Sequence, residues 1–299
     1  MGYLALRLLS LLPLPLLHGL GIVLGWLIWL WPGRHQQRMR ENLAQAGLIQ
    51  SRPGLLRQVI QETGKSNLEA AAVWLRPHEK VVRLVRETRG WEHFEAAMKA
   101  GKGVVVVAPH IGCWEIINLY LAYRQPFTAM YKPARKASVD KLMRQGRERG
   151  QARLVPTDLS GVKALLGALK RGEAIGVLPD QVATKGDGVW APFFGRWAYT
   201  PTMTVRLIHS TGATPLMVYA ERLSWGRGFR IHFDPLEAPL PKDRAEAAAA
   251  LNREVERVAS KLPAQYMWSY ARYKQPGGAE APPKIEPERA EPPPGTPPA

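Results

Sequence analysis

Apolar residues run almost without interruption from Leu8 to Trp31, 24 positions with no Asp, Glu, Lys or Arg. A bilayer core takes ~20 apolar residues in helical form, so this stretch is long enough to span one. Pro13 and Pro15 predict a kink, which a helix in lipid tolerates better than an exposed helix in water. Trp26, Trp29 and Trp31 gather at one end, where an aromatic belt sits, and Arg34, His35, Arg38 and Arg40 follow them. The positive-inside rule then places everything beyond residue 32 on the cytoplasmic side. A cleaved signal peptide is the competing reading. Its apolar region runs ~7–15 residues to a small-residue cleavage site, whereas this one ends in Trp-Leu-Trp-Pro. The expectation is an N-terminal membrane helix within an anchor of residues 1–32, spanning the bilayer or embedded in one leaflet.

Beyond the anchor the pattern changes. Residues 35–75 read as helix, with turn signals only at Ser51-Arg52-Pro53-Gly54. The run Val104 to Val107, bounded by Gly103 and Pro109, reads as a strand buried on both faces. A helix from Trp114 to Tyr123, an extended piece from Phe127 to Tyr131, a helix over 136–149 and a short strand Arg153–Val155 follow. Thr157-Asp158 could cap a helix from Leu159 to Arg171, Gly172 ends it, and Ala174–Leu178 is the next buried strand. Helix 201–211, strand 214–221, strand Phe229–Phe233 and helix 243–261 complete the series. Alternation of this kind predicts an α/β fold: a central mostly parallel or mixed sheet flanked by helices, occupying residues 33–274. Nine of the 26 prolines lie from Pro276 onward. The tail 275–299, rich in Pro and Glu, has too little apolar content to pack and is expected to be disordered.

Composition narrows the function classes. The chain carries 41 Lys+Arg against 25 Asp+Glu, a net charge of +16, and residues 1–274 alone carry +18. Such a body is drawn to an anionic partner: nucleic acid, acidic lipid headgroups or an acidic protein. The lone cysteine, Cys113, excludes an intramolecular disulfide framework and any Cys-rich metal site. No His-Glu-x-x-His occurs, so a metal hydrolase has little support, and neither a metal nor a cofactor is expected. The aromatic stretch Trp190–Tyr199 has the composition of a nucleic-acid stacking surface, but apolar packing or a lipid-facing loop is favoured, and no nucleic-acid partner is expected.

In open α/β sheets, ligands bind beyond the carboxyl ends of the strands. Ala108-Pro-His110-Ile-Gly-Cys-Trp-Glu115 follows the first buried strand directly. Within a continuous helix, His110 and Glu115 would project ~140° apart and could not pair. Across a strand–turn–helix corner the carboxylate can return to the imidazole and hold one ring nitrogen protonated, leaving the other as a base. Gly112 permits close backbone approach, and amides at the helix start could cradle an oxyanion. The alternative is a capping histidine beside a surface glutamate. Cys113, three residues from His110, offers a third class of function, a thiol acyl-enzyme.

His110-Ile-Gly-Cys-Trp-Glu115 resembles the His-x4-Asp/Glu signature of the late acyltransferases of lipid A biosynthesis, the lauroyl/myristoyl transferase family. Met130-Tyr-Lys132-Pro133 is similar to its Tyr-Arg/Lys-Pro block, and Arg144 and Arg147 to its arginine block. Leu178-Pro-Asp180-Gln181 resembles its strand-end Pro-Asp element, followed by the aromatic Pro192-Phe-Phe-Gly195. Gln265-Tyr-Met-Trp268, with Arg272 and Lys274, resembles its C-terminal signature. Cys113 stands where the family commonly has Asn.

The resemblance implies a glycerolipid-acyltransferase-like fold at the cytoplasmic face of the bacterial inner membrane. It implies transfer of a fatty acyl chain from acyl carrier protein to a hydroxyl on a 3-hydroxyacyl chain of a lipid A precursor. His110 and Glu115 are then the catalytic pair, Arg147 and Asp180 electrostatic or orienting groups, and Gly112, Lys132, Arg144 and Gln181 substrate-binding groups. Two alternatives remain: an acyltransferase for another membrane glycolipid such as a phosphatidylinositol mannoside, and a non-catalytic membrane-tethered basic module binding anionic lipid or nucleic acid.

Overall fold

The computed structural model describes residues 2–31, 33–134 and 136–284. Six helices come first: α1 (Gly2–Leu11), α2 (Leu14–Leu30), α3 (Arg34–Gln45), α4 (Leu48–Ser51), α5 (Leu55–Leu75) and α6 (His78–Val82). Strand β1 (Val85–Arg89) and α7 (Trp91–Lys99) lead to β2 (Val104–Val107) and α8 (Glu115–Ala122). The alternation continues through β3 (Phe127–Tyr131), α9 (Ala137–Arg147), β4 (Ala152–Pro156), α10 (Leu159–Lys170) and β5 (Ala174–Val177). A hairpin of β6 (Gly188–Phe193) and β7 (Arg196–Pro201) precedes α11 (Met203–Thr211), β8 (Thr214–Arg222), β9 (Phe229–Pro235) and α12 (Arg244–Lys261).

Seven strands form one sheet in the order β1-β9-β8-β2-β5-β3-β4. All neighbouring pairs are parallel except β8 and β9, so the sheet is mixed and mostly parallel, as the alternation predicts. The four valines of β2 are all buried, and the two-residue pleat period sends them to two different cores. Val105 and Val107 join Leu165 and Leu169 of α10, Val205 of α11 and Val255 of α12. Val104 and Val106 join Phe94 of α7, Ile116 and Leu119 of α8, and Val73 of α5. Of the Thr157-Asp158 pair, Asp158 caps α10, accepting from the Ser160 and Gly161 amides at 2.8 and 3.1 Å.

The N-terminal region departs from the expectation. The apolar run is broken at Leu12-Pro13 into two helices, and no single helix among the described residues is long and apolar enough to cross a membrane. The break falls at the prolines expected to kink the run, and beyond it α2 packs on protein. Leu14, Leu17, His18, Gly21 and Gly25 form a buried stripe on α2 that seats against α5. A methyl group at Gly64 would overlap the Gly21 carbonyl oxygen and the Gly25 amide nitrogen, so the two backbones touch. The opposite side of α1 and α2 stays apolar and exposed at Leu4, Leu8, Leu11, Leu16, Leu20, Val23, Leu27 and Leu30.

A buried charge cluster ties α2 to the sheet. Glu69 on α5 meets His18 of α2 at 2.6 Å and accepts two bonds from Arg222 at the end of β8, at 2.5 and 2.6 Å. Arg222 also donates to Glu62 at 2.6 Å. Gly64→Ala should separate α2 from α5 and lower stability by ~1–3 kcal/mol, the usual range for overpacking. A thermal unfolding midpoint identical to that of the parent would contradict this packing.

Two further segments concern the aromatic stretch and the tail. Trp190–Tyr199 lies within a hairpin whose turn, Phe194-Gly195, has positive φ at both residues (47° and 68°). Its rings pack internally, Phe194 against Trp268 at 5.6 Å and Trp190 against Tyr199 at 5.3 Å. Of the tail, residues 285–299 lie outside the described residues; Glu280, which is described, accepts the Trp190 indole N–H at 3.0 Å.

Candidate active site

The register of the central strands builds the site. Val107 of β2 pairs with Val177 of β5, and the Ala108 amide continues the ladder to the Val177 carbonyl at 2.9 Å. The next residues repeat the same steps: Ala108-Pro109-His110 on one strand end and Leu178-Pro179-Asp180 on the other. Each functional side chain stands three residues past its strand, so parallel pairing brings His110 and Asp180 face to face. Asp180 Oδ1 lies 2.8 Å from His110 Nδ1, and Oδ2 accepts the His110 backbone N–H at 2.9 Å. Both residues are buried.

This corrects the partner assigned to His110 from sequence. Glu115 opens α8 and faces α5 and α9 instead: Oε2 accepts from the Trp74 indole at 3.1 Å and from Arg147 Nε at 2.7 Å, while Oε1 takes Arg147 Nη2. Trp114, the residue before the helix, is the one that reaches His110, its ring edge-on at 5.0 Å. Arg147 is therefore a half-buried, two-pronged partner of Glu115, with its guanidinium over the Trp74 ring at 5.4 Å. Close approach of Trp74 to Gly146 fixes this corner.

Asp180 sets the tautomer of His110. Burial by itself would raise the Asp180 carboxyl, but His110, through its ring and its backbone N–H, holds it below the ordinary aspartate value. An ionised carboxylate only accepts, so Nδ1 carries the ring proton and Nε2 presents its lone pair. That lone pair faces the Gln181 side-chain amide nitrogen at 3.1 Å, an N–H donor. The Tyr266 phenol also bears on Asp180, and its pKa is pushed up by burial and by that charge. Neither Tyr266 nor Trp74 was assigned to the site from sequence.

Gly112 has the left-handed φ of 59° and no room for a side chain, because a methyl there would overlap the Ala220 carbonyl oxygen. Three successive backbone amides after His110 are occupied. Ile111 N–H bonds the Pro109 carbonyl, Gly112 N–H the Gln265 carbonyl and Cys113 N–H the Ala220 carbonyl, at 2.7, 2.9 and 2.9 Å. Lys132 is exposed just beyond β3, at the same sheet rim as Asp180. Arg144 lies farther out on α9, paired with Glu148 at 3.1 Å. Among the described residues, no group of three or more His, Cys, Asp or Glu side chains is placed to hold a metal ion.

The sequence model of the bacterial lipid A biosynthesis acyltransferases matches residues 1–275, nearly all of the described chain. The chain belongs to that family. Its similarity to individual members is moderate but long. It is 27% identical over 267 residues to the lipid A biosynthesis palmitoleoyltransferase of Escherichia coli K12, covering 88% of this chain and 86% of that one. It is 28% identical over 268 residues to the lipid A biosynthesis lauroyltransferase of the same organism, covering 88% and 87%. A phosphatidylinositol mannoside acyltransferase of Mycobacterium tuberculosis is 28% identical over 162 residues, about half of each chain. In this member the His110–Asp180 pair has the geometry of a general base and its orienting carboxylate.

Cys113 does not have the surroundings of a nucleophile. Its thiol is buried among Ile116, Ile117 and Val218, and burial together with the Glu69 charge pushes its pKa well up, away from thiolate. Cys113→Ala should keep acyl transfer within ~3-fold of the parent, since reactivity requires the thiolate. Loss of turnover in that variant, measured beside its melting temperature, would restore the thiol mechanism.

Proposed function

We propose that this acyltransferase moves a fatty acyl chain from acyl carrier protein to a hydroxyl on a 3-hydroxyacyl chain of a lipid A precursor, at the cytoplasmic face of the bacterial inner membrane. The observation that carries the mechanism is the Asp180–His110 bond, which leaves Nε2 as the basic nitrogen. His110 Nε2 takes the proton of the acceptor hydroxyl as its oxygen attacks the thioester carbonyl, whose π electrons move to oxygen. The tetrahedral intermediate collapses, the C–S bond breaks, and the imidazolium returns its proton to the departing sulfur. Asp180 stabilises the imidazolium in between. Glu115 and Arg147 act as a braced pair that fixes the start of α8 against α9.

The charge and the surface support the same reading. A body at +18 complements an acidic carrier protein, a phosphorylated sugar and anionic lipid. The exposed apolar side of α1 and α2 suits insertion into one leaflet, with Arg7 and Arg34 near its ends. Replacing Leu20 and Leu27 together by Glu should reduce sedimentation with anionic lipid vesicles several-fold at moderate salt, without changing the circular dichroism spectrum. Unchanged binding would remove the membrane role from this face.

A second acceptor class, another membrane glycolipid, is favoured by the likeness to the mannoside acyltransferase. Presenting the purified protein with acyl carrier protein thioesters and either a lipid A precursor or a phosphatidylinositol mannoside separates the two. The proposal expects one acyl ester added to the lipid A precursor. Exclusive acylation of the mannoside would overturn it.

A further inference from the structure

We propose that Gln181 is a catalytic residue with two successive roles: its side-chain amide covers the His110 Nε2 lone pair in the resting enzyme, then donates to the oxyanion of the tetrahedral intermediate once the acceptor hydroxyl has displaced it. The proposal rests on the reading of His110 as the base.

The transition state needs a donor aimed at the thioester oxygen, since negative charge develops there in a site withdrawn from water. Four successive backbone amides in this corner are not available. The amides of His110, Ile111, Gly112 and Cys113 are all committed, to Asp180, Pro109, Gln265 and Ala220 respectively. The Arg147 guanidinium is also committed, held two-pronged by Glu115. The Gln181 carboxamide is different. It is half-buried, and its amide nitrogen sits 3.1 Å from the atom that must receive the acceptor's proton.

The backbone beneath Gln181 is pinned on both sides. Asp180 is fixed by its two bonds to His110, and the Val182 amide donates to the Tyr270 hydroxyl at 3.0 Å. Only the side chain needs to turn. When a hydroxyl takes the position on Nε2, at a hydrogen-bond distance of about 2.8 Å, the displaced amide is left beside it. The thioester oxygen lies two bonds from the attacking oxygen, within reach of that amide after one side-chain rotation. The same N–H that guards the base therefore becomes the donor for the charge the base helps to create. Bonds balance without a further reactant: the hydroxyl proton passes to Nε2, the new C–O bond forms, and the oxyanion is held until the thiolate leaves.

Gln181→Leu removes the donor at nearly constant size, and Gln181→Glu keeps the shape but replaces the donor by an acceptor. Both should lower kcat by ~10²-fold, the scale for loss of one oxyanion donor. KM for the acceptor should stay level or fall, because the hydroxyl no longer displaces an amide. Affinity for a phosphonate analogue of the tetrahedral intermediate should weaken by the same factor as kcat. Melting temperatures and circular dichroism establish that each variant is folded, with Gln181→Asn, a shorter donor, as a third that retains partial activity.

Gln181→Leu turning over within ~3-fold of the parent, against a ~10²-fold scale for a true donor, would overturn the proposal. A loss carried wholly by KM, with phosphonate affinity unchanged, would overturn it as well. His110→Ala in the same assay separates the two levels. If His110→Ala is inactive while Gln181→Leu is fully active, the Gln181 role alone fails. If His110→Ala is fully active, the base reading fails and the Gln181 role with it.

Discussion

Asp180→Asn should reduce kcat/KM by ~10²–10⁴-fold while leaving the fold intact. Asparagine keeps the size of the side chain but offers one acceptor and one donor where the aspartate offers two acceptors. The backbone N–H of His110 and its ring Nδ1 both face this group, at 2.9 and 2.8 Å. If the amide oxygen serves the backbone, the amide N–H₂ faces Nδ1 and forces the ring proton onto Nε2, where no base remains. If the amide is turned round, the backbone N–H meets another donor and a buried donor is orphaned. Either arrangement removes the basic nitrogen or loosens the strand end that carries it. Glu115→Gln should be much milder, because Glu115 bonds Trp74 and Arg147 rather than the imidazole. Steady-state kinetics on the two variants measures the contrast. Equal losses in both, or a larger loss in Glu115→Gln, would return the role of partner to Glu115.

Arg222→Met is expected to destabilise the protein by ~3–5 kcal/mol, the range found when one member of a buried ion pair is removed. Glu69 would be left almost fully buried with only His18 beside it, and Glu62 would keep Lys65 but lose Arg222. The pH dependence gives the prediction a second edge. Burial alone would raise the Glu69 carboxyl, but Arg222 and His18 hold it at about 2, below its ordinary 4.5. A folded-state value below the unfolded one contributes stability that is present above pH 4.5 and lost as pH falls towards about 2. In Arg222→Met the sign reverses: with the guanidinium gone, burial dominates, the carboxyl binds a proton more readily when folded, and mild acid favours the folded state. The stability gap between parent and variant should therefore narrow between pH 7 and pH 4.5, as read from denaturant midpoints. A gap that stays constant or widens on acidification would contradict the charge pairing.

The inner sheet was legible because its strands are short apolar runs between glycine and proline. Val104–Val107 and Ala174–Val177 leave no other reading at that length. β1 was not, since Val-Arg-Glu-Thr-Arg at a sheet edge is mostly charged and its pairing with β9 is long-range. The 188–201 hairpin was hidden by its turn, because Phe194 at positive φ is not a residue type that signals one. At the N-terminus, hydrophobicity cannot distinguish a helix face covered by protein from one covered by lipid. The distinguishing signal was the glycine pair at Gly21 and Gly25, which allows α5 to seat directly on the backbone.

The site shows the same division. The sequence marks both His110 and Asp180 but not their partnership, because that depends on which strands are neighbours. The clue was the repeated Pro-His and Pro-Asp at equal distance from two buried strands, which becomes a contact once β2 and β5 pair in register. Glu115 looked like the partner because it was near in sequence. The helix that begins there carries it to Arg147 instead.

We propose direct transfer, with His110 as base and no acyl-enzyme. A single-turnover experiment tests it most directly: purified protein is mixed with a stoichiometric acyl carrier protein thioester, with and without the lipid A precursor, quenched on the millisecond scale, and both protein and lipid are weighed by mass spectrometry. Direct transfer leaves a protein of unchanged mass at every time point, and acylated lipid that accumulates only when the acceptor is present and His110 is intact. An acyl adduct on the protein that forms without acceptor and decays as acylated lipid appears, or lipid acylated at the parental rate by His110→Ala, would contradict it.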